Sequence, residues 1–538
     1  MIIDVRSDFP PEASVDCDVC IVGAGPAGMA VAMELADTGH RICLLEAGGM
    51  RYEAAVQQFN EGHVVGNRYP PLRTTRLSAF GGSSMLWAGW CRPLDPIDFA
   101  PRTWVANSGW PFDLDELRPH YRRAHDVCRL GPFEYEVEPW QALGAGAPLS
   151  MAGDSIRTTV FHVNPLRFGT EFRSQFEKAA HVRVLLHSSA LRLHSESGDR
   201  RVASLTAVGP ARREFRVRAR YFVLAGGGIE NARILLLSGD TPERSVGNQR
   251  GLVGRYFTEH PFIHPGYLIP TDPRQSLAFY LPMTPGSAPP GASVRMTFSL
   301  TRDALERERL LNGTFVVRPA YEGHPVFDSP EVRSMLEVWE KLRGRGVPGG
   351  ARSELTTAAR APHRLALAAW RKLTIRGTAS PRWALRAFFE AESLATNRVT
   401  LSEELDSLGR PLPHVEWRLG ELDIESMRRG FHLLDAELRK AGLGRLELRF
   451  PDDVEHWNRE AFGGKHHMST TRMHPSPDRG VVDADGKVHG IANLFVAGSS
   501  VFPTAGFANP TLTIVALSSR LGLHLRRLLA GGEILRVQ

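Results

Sequence analysis

The chain has 538 residues, of which 42% are hydrophobic and 23% charged, and its formal net charge is +6. That length exceeds one simple domain and predicts roughly two to four domain-sized units around a large core. No run of five or more like charges occurs, and no apolar run approaches the ~20 residues of a membrane span, which argues against nucleic acid and bilayer as partners.

The basic stretch 352–376 reads as a solvated helix face. The segment 1–14 is short and acidic and lacks the basic start and apolar stretch of a secretory leader, so a cytoplasmic protein is expected. Five cysteines, Cys17, Cys20, Cys43, Cys91 and Cys128, are too few for a disulfide framework in a chain this long. Cys17 and Cys20 form a CxxC inside an apparent strand. Side chains three apart on a strand point to opposite faces, so this pair reads as small apolar residues and no metal site is expected.

Residues 18–46 read as strand, tight turn, helix and second strand. Val19-Cys20-Ile21-Val22 is the first strand. Gly23-x-Gly25-x-x-Gly28 follows, a helix covers 29–35, and Gly39 lies just past its end. Ile42-Cys43-Leu44-Leu45 is the second strand and ends at Glu46. In this pattern Gly23 permits the sharp turn. Gly25 lets the backbone approach a pyrophosphate, and Gly28 lets helix and strand pack closely. The helix start offers open N–H groups to phosphate, and Glu46 stands where a carboxylate accepts from ribose hydroxyls. The motif predicts a dinucleotide without choosing between FAD and NAD.

Further along stand Gly81-Gly82-Ser83-Ser84-Met85-Leu86-Trp87, then Val223–Arg233 with Ala225-Gly226-Gly227-Gly228, then Gly251-Leu252-Val253-Gly254 leading to His260-Pro261. Near the end are His466-His467-Met468-Ser469-Thr470-Thr471-Arg472-Met473, Gly480-Val481-Val482-Asp483, Asn493–Gly498 and Ala508-Asn509-Pro510-Thr511-Leu512-Thr513. In this order and spacing the segments resemble the glucose–methanol–choline (GMC) family of flavoprotein oxidoreductases, nearest its pyranose-oxidase-like and aminoglycoside-pathway branch. The likeness spans nearly the whole chain and is weakest in 265–385.

The resemblance implies FAD and a mixed α/β fold: a Rossmann-type FAD-binding domain with an inserted substrate-binding domain on an antiparallel sheet with helices. The implied FAD domain comprises 1–100, 180–262 and 451–538; the substrate domain comprises 101–179 and 263–450. Local patterns add strands at 181–186 and 215–224, roof strands at 397–401 and 414–417, a helix at 421–441, and a last helix from Pro510 to about Leu529.

The resemblance also implies roles. His466 is the base and Asn509 a hydrogen-bond donor to the substrate oxygen, with His467 the rival base. Gly23, Gly25, Gly28, Glu46, Gly82, Ser83, Ser84, Ala190, Ala225, Gly498, Asn509, Pro510 and Thr511 hold the cofactor. Some relatives bind flavin covalently through a histidine where this chain has Leu86, so the FAD is expected to be non-covalent. Trp87 is expected beside the flavin or in the core. Asn509 also reads as an N-cap. The relatives commonly have glycine at the position of Ser469.

The expected reaction is oxidation of a hydroxyl on a sugar-like molecule, with an alcohol substrate and an electron acceptor as partners. An aminosugar is favoured, with Glu259, Glu390 and Glu392 as candidate contacts to its amine. Pro/Gly-rich loops at 282–291 and 344–350 read as surface connections. An aromatic monooxygenase also opens with GxGxxG but usually carries Gly-Asp in a late turn, where this chain has Gly498-Ser499. A non-catalytic flavin binder is the remaining alternative, opposed by the joint presence of His466 and Asn509.

Overall fold

A computed structural model describes the chain except residues 9–13, 142–146, 197–199, 210–211, 287, most of 320–381, and 532–538. The 344–350 loop and most of 352–376 lie outside the described residues.

Two of the hydrophobic runs become adjacent parallel strands, Ser14–Val22 and Ile42–Leu45, joined by the helix Pro26–Leu35. Ile42–Leu45 is buried at every position, as expected for a parallel strand covered on both faces. Cys20 stands opposite Cys43 in the register, and all five cysteines are buried free thiols.

The sheet continues outward through Val182–Leu186 to Ile2–Asp4 on one side. On the other it passes through Glu214–Leu224 to Val202–Val208 and Ser189–Ser195. Glu214–Leu224 changes character along its length. Its first half alternates exposed and buried residues and pairs antiparallel with Val202–Val208. Its last three residues are all buried and pair in parallel with Leu494–Val496. The hydrophobic period thus reports where the strand passes from a one-faced sheet into a covered one.

The helix Thr511–Leu529 lies against Pro26–Leu35 and against Leu114–Val127. A Cβ on Gly522 would sit 2.6 Å from the Glu34 Cβ, so the two helices meet nearly backbone to side chain. Buried Glu34 is held there by Ser519 Oγ at 2.6 Å and by Arg123. Tyr121 and Thr513 join their hydroxyls at 2.8 Å across the other contact.

A second sheet is antiparallel throughout: Gly444–Leu448, Pro261–Pro270, Trp383–Phe389, Gly313–Pro319, Ser293–Leu300, Ile156–Val163 and Trp90–Cys91, with Phe462–Gly463 on Pro261–Pro270. The helix Glu421–Lys440 packs against it through Phe431, whose ring stands 4.9 Å from Phe315.

The expected roof strands at 397–401 and 414–417 do form, as Arg398–Leu405 and Pro411–Trp417, but they do not join the second sheet. They pair with each other and with His63–Gly66 in a separate three-stranded sheet. Alternation along a strand fixes its faces and not its neighbours, so the pattern alone did not say which sheet they join. Among the described residues, no helix is long and apolar enough to cross a membrane.

Candidate functional site

The Gly23 turn lies where the ends of Ser14–Val22, Ile42–Leu45 and Glu214–Leu224 meet. Its amide donates to Leu45 O at 2.8 Å, and φ is +105°. A Cβ at Gly23 would lie 2.6 Å from Ala225 O, so the turn is wedged against the end of Glu214–Leu224. Gly28 works behind the turn. A Cβ there would lie 1.9 Å from Gly23 O, and Gly28 is not part of the cavity wall. Gly28 thus has the close-packing place that the motif predicts, holding helix and turn together from behind the cavity wall.

Gly25 starts the Pro26–Leu35 helix without a side-chain cap, which leaves the first N–H groups open to an anion. The second glycine turn faces it: a Cβ on Gly82 would lie 2.8 Å from Gly25 Cα. Ser84 Oγ donates to Gly81 O at 2.5 Å, and Ser83 Oγ accepts from Leu77 N at 3.2 Å. Glu46 accepts from Ala24 N at 3.0 Å and Gly48 N at 2.9 Å, while burial pushes its carboxyl up to about 7.

These residues line one cavity of about 690 Å³. It runs from Glu46 and Ala190, past Gly25, Gly82, Ala225 and Gly498, to Pro510, Thr511, Asn509 and His466. Leu86 lies in its wall and offers no nucleophile to a flavin. Trp87 lines it too, with Nε1 donating to Leu166 O at 2.6 Å.

The far end carries the titratable groups. Asn509 Nδ2 lies 3.3 Å from His466 Nε2, although the two residues are 43 apart in sequence. Asn509 does not cap the last helix: Pro510 takes the N-cap position without a side-chain bond. The Asn509 Oδ1 is buried without a partner. On its other side His466 Nδ1 stands 3.0 Å from Nδ1 of His260, a residue to which the sequence pattern gave no role.

Only one proton fits between those two nitrogens. An amide N–H donates, so the contact with Asn509 makes His466 Nε2 an acceptor and puts the His466 proton on Nδ1. His260 Nδ1 then accepts, and His260 carries its own proton on Nε2. That nitrogen faces the carbonyls of Gly506 and Ala505 without closing a well-formed bond. Burial, then the neighbouring His260 and His467, hold His466 well below the usual histidine range. Burial lowers His260 to about 4.

His467 also borders the cavity, but its ring packs on another side. Its buried ring stands 6.0 Å from Tyr69 and 6.1 Å from Phe257, with Nε2 at 4.0 Å from Glu259 Oε1. Burial, then Arg76 and Lys465, lower it to about 3. Glu259 is buried too. It accepts from the Tyr69 hydroxyl and from His260 N at 3.1 Å, and burial raises its carboxyl to about 7. Glu390 pairs with Arg102, and Glu392 lies beside Asp423 and Gly420. None of these three glutamates lines the cavity, so their expected place beside a substrate amine is corrected. Ser469 adopts φ +72°, a conformation that glycine enters freely and serine does not.

The cavity fits a dinucleotide flavin on two counts. Side chains at the facing glycine turns would fill the cradle, and the buried Asn509 Oδ1 lacks a partner where the last helix begins.

Known proteins agree. Over 94% of this chain and 99% of its own length, pyridoxine 4-oxidase from Mesorbium loti superposes with a TM-score of 0.56 at 19% identity, which shows the shared fold. In sequence, 2-methyl-1,2-propanediol dehydrogenase of Mycolicibacterium austroafricanum is 25% identical over 95% of each chain. The 6'''-hydroxyparomomycin C oxidase of Streptomyces lividus is 24% identical over 94% of this chain and 90% of its own. Residues 18–366 match the FAD dependent oxidoreductase family and residues 393–518 match the GMC oxidoreductase family. With the fold, the cradle and both family patterns in agreement, the chain belongs to the FAD-dependent oxidoreductases of the GMC type.

Proposed function

We propose that this enzyme oxidises a hydroxyl of a sugar-like alcohol to a carbonyl, with His466 accepting the hydroxyl proton and Asn509 donating a hydrogen bond to the same oxygen. The observation that carries this reading is the meeting of His466 Nε2 and the Asn509 amide at the end of the cavity. An alcohol is a very weak acid, and a positioned base is worth roughly 10²–10⁴ in rate. A histidine held below its usual range is neutral at ordinary pH and so is ready to take a proton. Asn509 follows the developing negative charge on oxygen with an N–H that needs no reorientation.

When bound, FAD supplies the hydride acceptor, its N5. The open start of Pro26–Leu35 and the Gly82–Ser84 turn would hold its pyrophosphate, and Glu46 its ribose. Ala190, Ala225 and Gly498 would border it without bulk. The start of Thr511–Leu529, beside Pro510, would stabilise negative charge on the reduced ring. Attachment is non-covalent. Turnover then requires an electron acceptor. The FAD domain would be drawn from 1–100, 180–262 and 451–538, which hold every strand of the first sheet, and the substrate domain from 101–179 and 263–450, which hold most of the second sheet, with Trp90–Cys91 and Phe462–Gly463 reaching into it from the FAD ranges. Five free thiols suit the cytoplasm.

The test is anaerobic mixing with sugar alcohols, followed by flavin absorbance. His466→Ala should slow bleaching by roughly 10²–10⁴ while the flavin spectrum shows FAD still bound. Bleaching at a near-normal rate would remove His466 from the reaction.

A further inference from the structure

The chain segments that carry His260 and His466 run side by side at the far end of the cavity. Thr258 and Met468 bond in both directions, Thr258 N to Met468 O at 3.2 Å and Met468 N to Thr258 O at 3.1 Å. Pairing resumes at Pro261 opposite Gly463 and at Phe262 opposite Phe462. Glu259 and His260 therefore oppose the longer stretch 464–467, and that second segment bulges. Lys465, inside the bulge, has φ of +66°, a conformation that costs energy in a residue other than glycine. His466 stands in the same bulge, with its ring against His260 on one side and Asn509 on the other.

A bulge interrupts the ladder and leaves backbone N–H groups that need other partners. Glu259 supplies one. Its Oε2 accepts from His260 N at 3.1 Å, and the N–H groups of His466 and Gly464 face the same carboxylate. A single side chain thus binds the backbones of both imidazole residues. Its Oε1 accepts from the Tyr69 hydroxyl. Tyr69 reaches in from the segment after His63–Gly66. Its ring stands edge-on to Trp417 at 5.8 Å, and a Cβ on Gly463 would lie 2.1 Å from it. Glu259 is buried and stands outside the cavity wall, so it acts on the cavity only through the residues it holds.

The titratable groups around Glu259 are Tyr69, His260, His466 and His467, whose Nε2 lies 4.0 Å from Oε1. The charges of Arg76 and Lys465 lie beyond His467. Tyr69 and the amides are all donors, which favours the ionised carboxylate, while burial opposes it and brings the carboxyl to about 7.

From this geometry we propose that Glu259 is a positioning residue: its carboxylate, closed off by Tyr69, staples the bulge and so fixes the His466 ring between His260 and the substrate oxygen. This rests on the alcohol-oxidation reading above, with His466 as the base. A displacement of about 1 Å at a reacting group costs roughly 10²-fold in rate, so the staple governs rate without touching substrate.

The experiment uses the FAD-loaded enzyme with D-glucose, D-galactose and D-glucosamine as probes, and compares Glu259→Gln, Glu259→Asp, Tyr69→Phe and His466→Ala. The limiting rate of anaerobic bleaching reads the chemistry. Perturbation of the oxidised flavin band reads probe binding, and hydrogen exchange in peptides spanning 258–262 and 464–468 reads the staple. Glu259→Gln should lower the limiting rate roughly 10- to 100-fold while probe binding changes less than about 3-fold, and exchange in both peptides should quicken. Glu259→Asp, which keeps the charge at shorter reach, should recover part of the rate. Tyr69→Phe removes one bond and should cost roughly 3- to 10-fold. In the wild type the limiting rate should drop by a partial step as pH falls through about 7, because a protonated carboxyl holds the amides less firmly, and Glu259→Gln should lack that step.

A near-normal limiting rate in Glu259→Gln beside a slow His466→Ala overturns the positioning role and leaves the base standing, even if exchange quickens. Near-normal bleaching by His466→Ala, or no bleaching of the wild type by any probe, overturns the base and the staple's role with it. Should Glu259→Gln lose its flavin spectrum, Tyr69→Phe decides: a slower rate with unchanged probe binding supports the staple, and equal loss of both overturns it.

Discussion

At His466 the direction of one proton decides whether the ring is a base or a donor. The Asn509 amide sets that direction, and His260 Nδ1 can accept the His466 proton only while His260 keeps its own proton on the far nitrogen. His260 is therefore a positioning residue. His260→Ala should slow flavin reduction by roughly 10- to 1,000-fold without loss of FAD, since a base in the wrong tautomer is costly. His260→Asn, which restores an acceptor, should recover part of the rate. It should also keep the acid limb of the kcat/KM profile below the usual histidine range, where protonation of His466 ends activity as pH falls. Equal defects in both variants would reduce His260 to packing. His466 and Asn509 were legible because each sits in a local motif. His260 was not, since its role exists only through a neighbour 206 residues away. The serine at 469 stood out in the sequence as a departure. The backbone there has φ of +72°, which glycine would enter without the strain that serine bears.

Elements declared themselves where one physical constraint dominates. The Ile42–Leu45 strand matches its expected bounds, and the last helix ends at the expected Leu529 but starts one residue later, at Thr511, because hydrophobic runs are local while the expected cap is not made. Strand partners are not local, and so the sequence pattern gave Arg398–Leu405 and Pro411–Trp417 no neighbours, which prove to be each other and His63–Gly66. The Gly23–Gly28 contact provides a test at this scale. Gly28→Ala puts a methyl 1.9 Å from Gly23 O, which only backbone movement relieves. We expect a loss of about 3 kcal/mol and failure to retain FAD. At Gly39 nothing lies within 4 Å, but φ is +76°. Gly39→Ala should cost only about 1 kcal/mol and leave FAD binding intact. Thermal denaturation with flavin fluorescence reads both, and similar losses at the two sites would contradict the packing role given to Gly28.

The whole molecule buries two opposing sets of ionisable groups. Asp98, Glu259 and Asp423 are each raised to about 7, mainly by burial. What they contribute to stability is present below their ordinary values and lost as pH rises toward 7. His125 and His467 are lowered to about 3 and His260 to about 4, again mainly by burial. Their contribution is present above the ordinary value of 6.5 and lost as pH falls. Between about 4.5 and 6.5 the two sets oppose each other, so the urea midpoint of the holoenzyme should be level there. Below about 3.8 the raised carboxylates add nothing further, while the histidines and the carboxylates that arginines hold low, Asp95, Glu230 and Asp406, still titrate, and the midpoint should fall. A midpoint that climbs steadily with acid would mean that the histidines are not buried neutral.

The cavity is assembled from both extremes of the chain: Gly23 and Glu46 from its beginning, Gly498 and Asn509 from its end. A ribosome adding about 5–20 residues per second releases the first pair roughly half a minute to a minute and a half before the second. During that interval the nascent protein has a phosphate cradle with no far wall, and Leu494–Val496 has yet to dock beside Glu214–Leu224. Cofactor capture is therefore a late event in biosynthesis, and a truncated product of stalled translation would carry the nucleotide fingerprint yet lack a closed berth for the flavin.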